Sequence, residues 1–300
     1  MRVKKFETNF RRKMFLNETN EILFSPDIFK EENSIINIYP SLEFNEFLGF
    51  GGALTGSSCY NLSICNEQIS NQILNEYFLE SNMNYNFCRL SIASSDFSLN
   101  SYSYSNKTDL SDFSISEDMK YVVPIIKMAQ KRNKSLKFLA SPWSPPAFMK
   151  NNKSLLNGGT LLPDFKKLYA IYLVKFIEAY QKENINIDYM TIQNEPNAVQ
   201  TWESCIYNPK QEMDLLVNYI YPELKKHNIN TKLLIWDHNK DKILDRVLNS
   251  FKFDGSFEKV SGIAFHWYTG DHFENIELLR KMFPNKLLIH TEGCTRLLCF

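Results

Sequence analysis

Residues 188–198 read DYMTIQNEPNA, and the reading of this stretch decides the fold. It runs strand-like through Met190 and Ile192 and stops at Gln193-Asn194-Glu195-Pro196. A short apolar run closed by a proline is the pattern of a buried strand. In a barrel of βα units, the residues just past each strand's C-terminus form the active face. Proline disfavours helical backbone at the residue before it, so Glu195 is expected in extended geometry at the strand exit. From this stretch alone Glu195 has two readings: a cap for the following helix, or a carboxylate that does chemistry.

Six similar strand runs surround it: 47–51, 85–91, 136–140, 232–236, 260–265 and 286–290, with this one spanning 187–192. Helical spacing fills most of the gaps, at 67–79, 117–132, 164–183, 209–227, 240–251 and 273–283. Regular strand–helix alternation predicts a parallel sheet with helices outside. Seven strands and six helices stand one βα step short of a (β/α)8 TIM barrel, so the expected fold is an incomplete barrel over 47–300. Residues 1–46 read differently. The stretch ENSIINIYPSLEFNEF, 32–47, alternates apolar and polar residues without helical spacing, which predicts antiparallel strands outside the barrel.

Charge is balanced, with 34 basic and 34 acidic residues, so nucleic acid and anionic membranes are not expected partners. Aromatics make up 14% of the chain, which suits a neutral ligand such as a sugar. No run has the length of a membrane span, and the basic N-terminus lacks the apolar core of a secretory signal. A cytoplasmic location with free thiols is therefore expected. The cysteines Cys59, Cys65, Cys88, Cys205, Cys294 and Cys299 form no zinc motif, and Cys59, Cys65 and Cys88 read as buried thiols.

Almost every predicted strand ends in polar or aromatic residues. These are Arg89, Ser91 and Asp96; Ser141 and Trp143; Asn194 and Glu195; Trp236, Asp237 and His238; His266, Trp267 and Tyr268; His290 and Glu292. Glu195 and Glu292 end the fourth and seventh strands, which lie across the barrel mouth from each other. Two carboxylates facing across a pocket are what glycoside hydrolysis requires, one to protonate the leaving oxygen and one to attack or to activate water. Asn194 is placed to hydrogen-bond a sugar 2-hydroxyl. Glu195 is expected to start protonated, its pKa raised by burial and by the Glu292 charge. Arg89 is expected to orient Glu292. Trp143 reads as a sugar platform or as core, and Tyr268 as a donor to Glu292 or as packing. The glycines of GFGGALTG, 49–56, match neither a P-loop nor GxGxxG and read as close backbone packing. A competing metal reading uses His238, His266 and His290 with Asp237.

Six segments carry a family resemblance in order: LGFGGALTGSSCYNL (48–62), YNFCRLSIASSDFS (85–98), LKFLASPWSPPAFMK (136–150), MTIQNEPNA (190–198), GIAFHWYTGDHFENI (262–276) and LLIHTEGC (287–294). Together they resemble glycoside hydrolase family 30, the glucosylceramidase-type enzymes. The resemblance implies a retaining β-glycosidase on a (β/α)8 barrel with a side β-sandwich, to which residues 1–46 contribute strands. It implies Glu195 as acid/base, Glu292 as nucleophile, and Arg89, Trp143, Asn194, Asp237, His266 and Tyr268 as substrate-site residues, with no cofactor or metal. A carbohydrate or glycolipid is the expected substrate. Gly56 stands where the family often carries an acid that holds a sugar hydroxyl. The chain stops at Phe300, before an eighth strand, which raises the alternative of a truncated, inactive sugar-binding remnant.

Overall fold

Seven parallel strands form one sheet whose spatial order follows the chain. They are β1 (Gly51–Ala53), β2 (Phe87–Ile92), β3 (Lys137–Pro142), β4 (Tyr189–Thr191), β5 (Lys232–Asn239), β6 (Gly262–His266) and β7 (Leu287–Glu292). Every neighbouring pair is parallel. Helices lie between them: α1 (Gly56–Ile64), α2 (Glu67–Phe78), α3 (Val122–Arg132), α4 (Lys166–Lys182), α5 (Pro209–Leu215), α6 (Tyr221–Lys226), α7 (Ile243–Ser250), α8 (Ser256–Lys259) and α9 (Phe273–Met282). This computed structural model describes residues 2–23, 26, 28 and 36–294. It divides into two compact units, Met1–Phe47 and Leu48–Phe300.

β2 to β6 are largely buried on both faces, as parallel strands under helices are, whereas β1 is exposed and β7 mostly half-buried. Phe138 and Ala140 on β3, Met190 on β4, Leu233 and Ile235 on β5, and Ile263 on β6 pack under the helices. The residues between them turn the other way. Leu139, Tyr189, Leu234 and Ala264 form a second cluster in the barrel interior, joined by Phe87, Leu287 and Ile289. Close packing at the first strand is real: a Cβ on Gly51 would sit 1.4 Å from the Phe87 carbonyl oxygen. Any side chain there would separate β1 from β2.

The structure adds two helices that periodicity did not announce, α1 and the single turn of α8. α1 begins directly after GGALT, where Thr55 and Ser58 form a capping box. The T-x-x-S signal was present, but the glycines before it masked the helical period. The stretch predicted as one helix over 209–227 is α5, a π-helical turn at Leu216–Ile220, and α6 with Pro222 in its first turn. Cys59 and Cys88 are buried, and burial pushes both thiols up to about 12. Cys65 departs from expectation: it is exposed at the end of α1.

The N-terminal unit carries two antiparallel pairs, Arg2–Val3 with Ile22–Leu23 and Phe6–Asn9 with Met14–Glu18. The strands expected over 32–47 are not there among the described residues 36–47. Alternation supplies an apolar face, but a strand also needs a backbone ladder. Ile36, Ile38, Tyr39, Leu42, Phe44 and Phe47 stand exposed. The remainder of that stretch, 32–35, lies outside the described residues.

Candidate active site

The barrel interior changes character one step above its apolar layer. Two residues beyond Phe87, Leu139, Tyr189, Ala264 and Ile289 come Arg89, Ser141, Thr191, His266 and Thr291. On β5 the same spacing from Leu234 would bring in Trp236. A bulge intervenes: Ala264 pairs with Trp236 and Phe265 with His238, leaving Asp237 as the extra residue. Trp236 and Asp237 both have positive φ, 77° and 48°. Trp236 joins the cluster under the helices, and Asp237 enters the interior in its place.

Asp237 is the hub of this polar layer. Its Oδ2 accepts from Arg89 Nη2 at 2.8 Å, Ser141 Oγ at 2.9 Å and Thr191 Oγ1 at 2.7 Å. Its Oδ1 faces His266 Nε2 at 3.0 Å and Thr291 Oγ1 at 2.5 Å. Burial alone would raise its pKa, but the Arg89 charge and these donors hold the carboxyl well below the usual range. Arg89 in turn donates to Glu292 Oε2 at 2.5 Å and Asn194 Oδ1 at 2.8 Å, and its guanidinium lies 4.7 Å from the Trp143 ring centroid. Tyr268 Oη donates to Glu292 Oε1 at 2.9 Å. Both oxygens of Glu292 are thus fixed by donors.

At the other end, His266 Nδ1 lies 3.1 Å from Glu195 Oε1, and His238 Nδ1 lies 3.4 Å from the same oxygen. Glu195 N–H donates to the Asp237 carbonyl at 2.9 Å, and Asn194 N–H donates to the Pro142 carbonyl at 2.8 Å. These bonds override the proline rule. Glu195 has φ of 46°, in the left-handed region and not the extended one expected from Pro196. Such a residue costs about 1–3 kcal/mol and persists only where its surroundings hold it.

The expected raised pKa of Glu195 is also overturned. Burial pushes it up, but the neighbouring His238 and His266 rings outweigh burial and hold it well below 4.5. His266 moves the opposite way. Burial lowers it, yet Asp237 and Glu195 on its two nitrogens raise it above 6.5.

The structure therefore brings Arg89, Asn194, Glu195, Asp237, His266, Tyr268 and Glu292 into one bonded network, with Trp143 under the guanidinium. Two of the residues expected to touch substrate are placed otherwise. Asp237 and His266 are fully buried and their polar atoms are engaged by protein partners, so they organise the site from beneath. Trp143 is also nearly buried. The histidine metal set does not assemble as expected. His290 stacks on Phe265 at 5.3 Å, while Glu195, His238 and His266 bring one donor atom each within 4.8 Å of one another.

Thr191 and Thr291 escaped the sequence reading. With Ser141 they carry hydroxyls in strands otherwise apolar inside, a signal in itself because buried polar groups need partners. Asp96, one of the predicted strand-end residues, follows β2. Partial burial and then the negative charge of Glu292 push its carboxyl up to about 6, against a hydrogen bond from Trp143. Its position in SSDFS gave no hint of that charge environment.

The glycosyl hydrolase family 30 TIM-barrel domain matches residues 47–297. SrfJ from Salmonella typhimurium, a solved structure, is 33% identical with a TM-score of 0.96, covering 100% of this chain and 68% of that one. Mouse lysosomal acid glucosylceramidase is 30% identical over 277 residues, 87% of this chain and 54% of that protein. An endo-1,6-β-D-glucanase of Neurospora crassa is 34% identical over 217 residues, 68% of this chain and 44% of that protein. The chain spans about half the length of the curated relatives it matches. No helix among the described residues is long and apolar enough to cross a membrane. With seven ordered parallel strands, a polar layer at their C-terminal ends and this match over nearly the whole barrel unit, the chain belongs to glycosyl hydrolase family 30.

Proposed function

We propose that this protein is a retaining β-glycosidase of the glucosylceramidase type, in which Glu292 is the nucleophile and Glu195 the acid/base. One observation carries the reading: an unbroken path of polar contacts runs from Glu292 through Arg89, Asp237 and His266 to Glu195. Arg89 and Tyr268 aim the Glu292 carboxylate at an anomeric carbon, which it attacks to form a covalent glycosyl-enzyme. The Glu195 carboxyl gives the leaving oxygen a proton that it takes up from His266 Nδ1, 3.1 Å away. In the second step Glu195 accepts a proton from water, and His266 again holds it. Asn194 accepts from Arg89 through its oxygen, which leaves its amide N–H groups to meet a sugar hydroxyl.

The substrate class is a β-glucoside. The relatives' names differ in the group that the glucose is joined to, a ceramide in one case and a β-1,6-linked glucan in the other. The test is turnover of an aryl β-glucoside by the wild type and by Glu292→Gly. The variant is expected to lose about 10⁴-fold or more in kcat, with azide taking the vacated nucleophile position and restoring release as the inverted, α-linked glycosyl azide. Full activity in E292G overturns the assignment. Parallel assays on glucosylceramide and on β-1,6-glucan decide between the two aglycones.

A further inference from the structure

The bulge that turns Asp237 inward is gripped from outside the barrel. The Trp236 backbone N–H donates to Glu212 Oε1 at 3.1 Å. Glu212 lies on α5 and Arg246 on α7, and both side chains are buried. Arg246 donates to Glu212 Oε2 through Nη2 at 2.8 Å and Nε at 3.3 Å. The same guanidinium lies 5.2 Å from the Trp236 ring centroid and donates through Nη1 to Asn197 Oδ1 at 3.0 Å. Asn197 stands two residues beyond Glu195. One buried ion pair thus holds both the strand bulge that carries Asp237 and His238 and the loop that carries Glu195.

A buried ion pair is a weak source of stability, because desolvation offsets its attraction. This pair's remaining donor and acceptor are directed at Asn197 Oδ1 and the Trp236 N–H, beside the left-handed residues 195 and 236–237. Without the pair, Trp236 N–H would lose its acceptor, and the bulge would be held only from the interior, by the partners of the Asp237 carboxylate.

We propose that Arg246 and Glu212 are positioning residues for the acid–base end of the site: they hold the β5 bulge and the loop after β4 in the register that joins Asp237 to His266 and His266 to Glu195. The catalytic consequence rests on the reading of Glu195 as acid/base; the geometric consequence does not.

The test compares Arg246→Met with Arg132→Met, a control that unties α3 from Asn71 and Asn75 on α2 and touches none of the site network. Two readouts are taken on the full chain: kcat and KM on an aryl β-glucoside, and the ring 15N–1H signals of His266. R246M is expected to lose roughly 10- to 100-fold in kcat with KM changed by less than about twofold, and to shift the His266 ring signals. Arg246→Lys is expected to recover part of both. R132M is expected to lower Tm while leaving kcat and the ring signals at wild-type values. Wild-type kcat and unshifted ring signals in R246M overturn the proposal, as does an equal kcat loss in R132M at matched loss of Tm. A wild type that does not turn over aryl β-glucosides defeats the glycosidase reading instead, and the ring signals then decide the positioning role alone. If R246M does not fold, R246K and Glu212→Gln are read by the same two measurements and the same criteria.

Discussion

Two buried aspartates in the barrel unit meet opposite fates. Asp237, at the hub of the candidate site, is held as an anion. Asp118, in the turn before α3, accepts from Tyr102 Oη at 2.6 Å, Tyr104 Oη at 2.6 Å and Tyr180 Oη at 2.7 Å. Both are almost completely inaccessible and both are richly hydrogen-bonded. Yet burial outweighs the three phenols and raises Asp118, whereas Asp237 is lowered. The difference is the cation. Neutral hydroxyls lower the cost of a buried carboxylate, but Asp237 also has compensating charge beside it, from Arg89 first and then His266. One aspartate therefore organises a charged site, and the other ties together a tyrosine cluster.

The strongest way to break this comparison is Asp237→Asn. It leaves Arg89 and His266 buried without their counter-charge, and breaking such a pair costs about 3–5 kcal/mol. Misplacement of Glu292 and Glu195 is expected to lower kcat by about 100-fold or more. Chemical denaturation and turnover on an aryl β-glucoside check both numbers. A variant with wild-type stability would show that Asp237 is not held as an anion.

Asp118→Asn is expected to be milder. The amide keeps an acceptor for the phenols, so the loss is about 1–2 kcal/mol, with kcat within about twofold of wild type because the change is distant from the reacting groups. The smallest effect is in the pH dependence, and there the two variants carry opposite signs. Asp237 has a lowered folded-state pKa, so its stabilisation is present above its ordinary 3.8 and is lost as pH falls through the folded value. Asp118 has a raised one, so its contribution is full below 3.8 and is lost as pH rises through the folded value. Between about pH 3 and pH 6 the Tm gap between wild type and D237N is expected to widen, and that between wild type and D118N to narrow. Gaps that move together would defeat the contrast.

Much of this was legible in the residues. The strand pattern near 137–140, 187–192 and 232–236 placed the sheet, because alternation of apolar residues is a local property of neighbours. The polar strand ends marked Arg89, Asn194, Glu195, Asp237, His266 and Glu292 as one face, since a buried strand has no other reason to end that way. Residues 36–47 misled, because alternation alone says nothing of a partner edge. α1 was missed, because its signal lay in a cap and not in a period. Glu195 was misjudged twice. Its backbone follows long-range bonds to Asp237 and not the local demand of Pro196, and its proton follows two histidines from β5 and β6.

The sequence by itself determined the order of strands and helices, the tight first strand at Gly51 and the two carboxylates. Each of these is written in spacing along the chain. Only the tertiary structure decided that Asp237 and not Trp236 faces the barrel interior, that His266 stands between Asp237 and Glu195, and that Glu292 and Glu195 share one network. Those outcomes depend on Glu212, Arg246, Arg89 and His266 reaching the same few ångströms from distant segments, and hydrogen bonds and charges act over distance in space, which the linear sequence does not record.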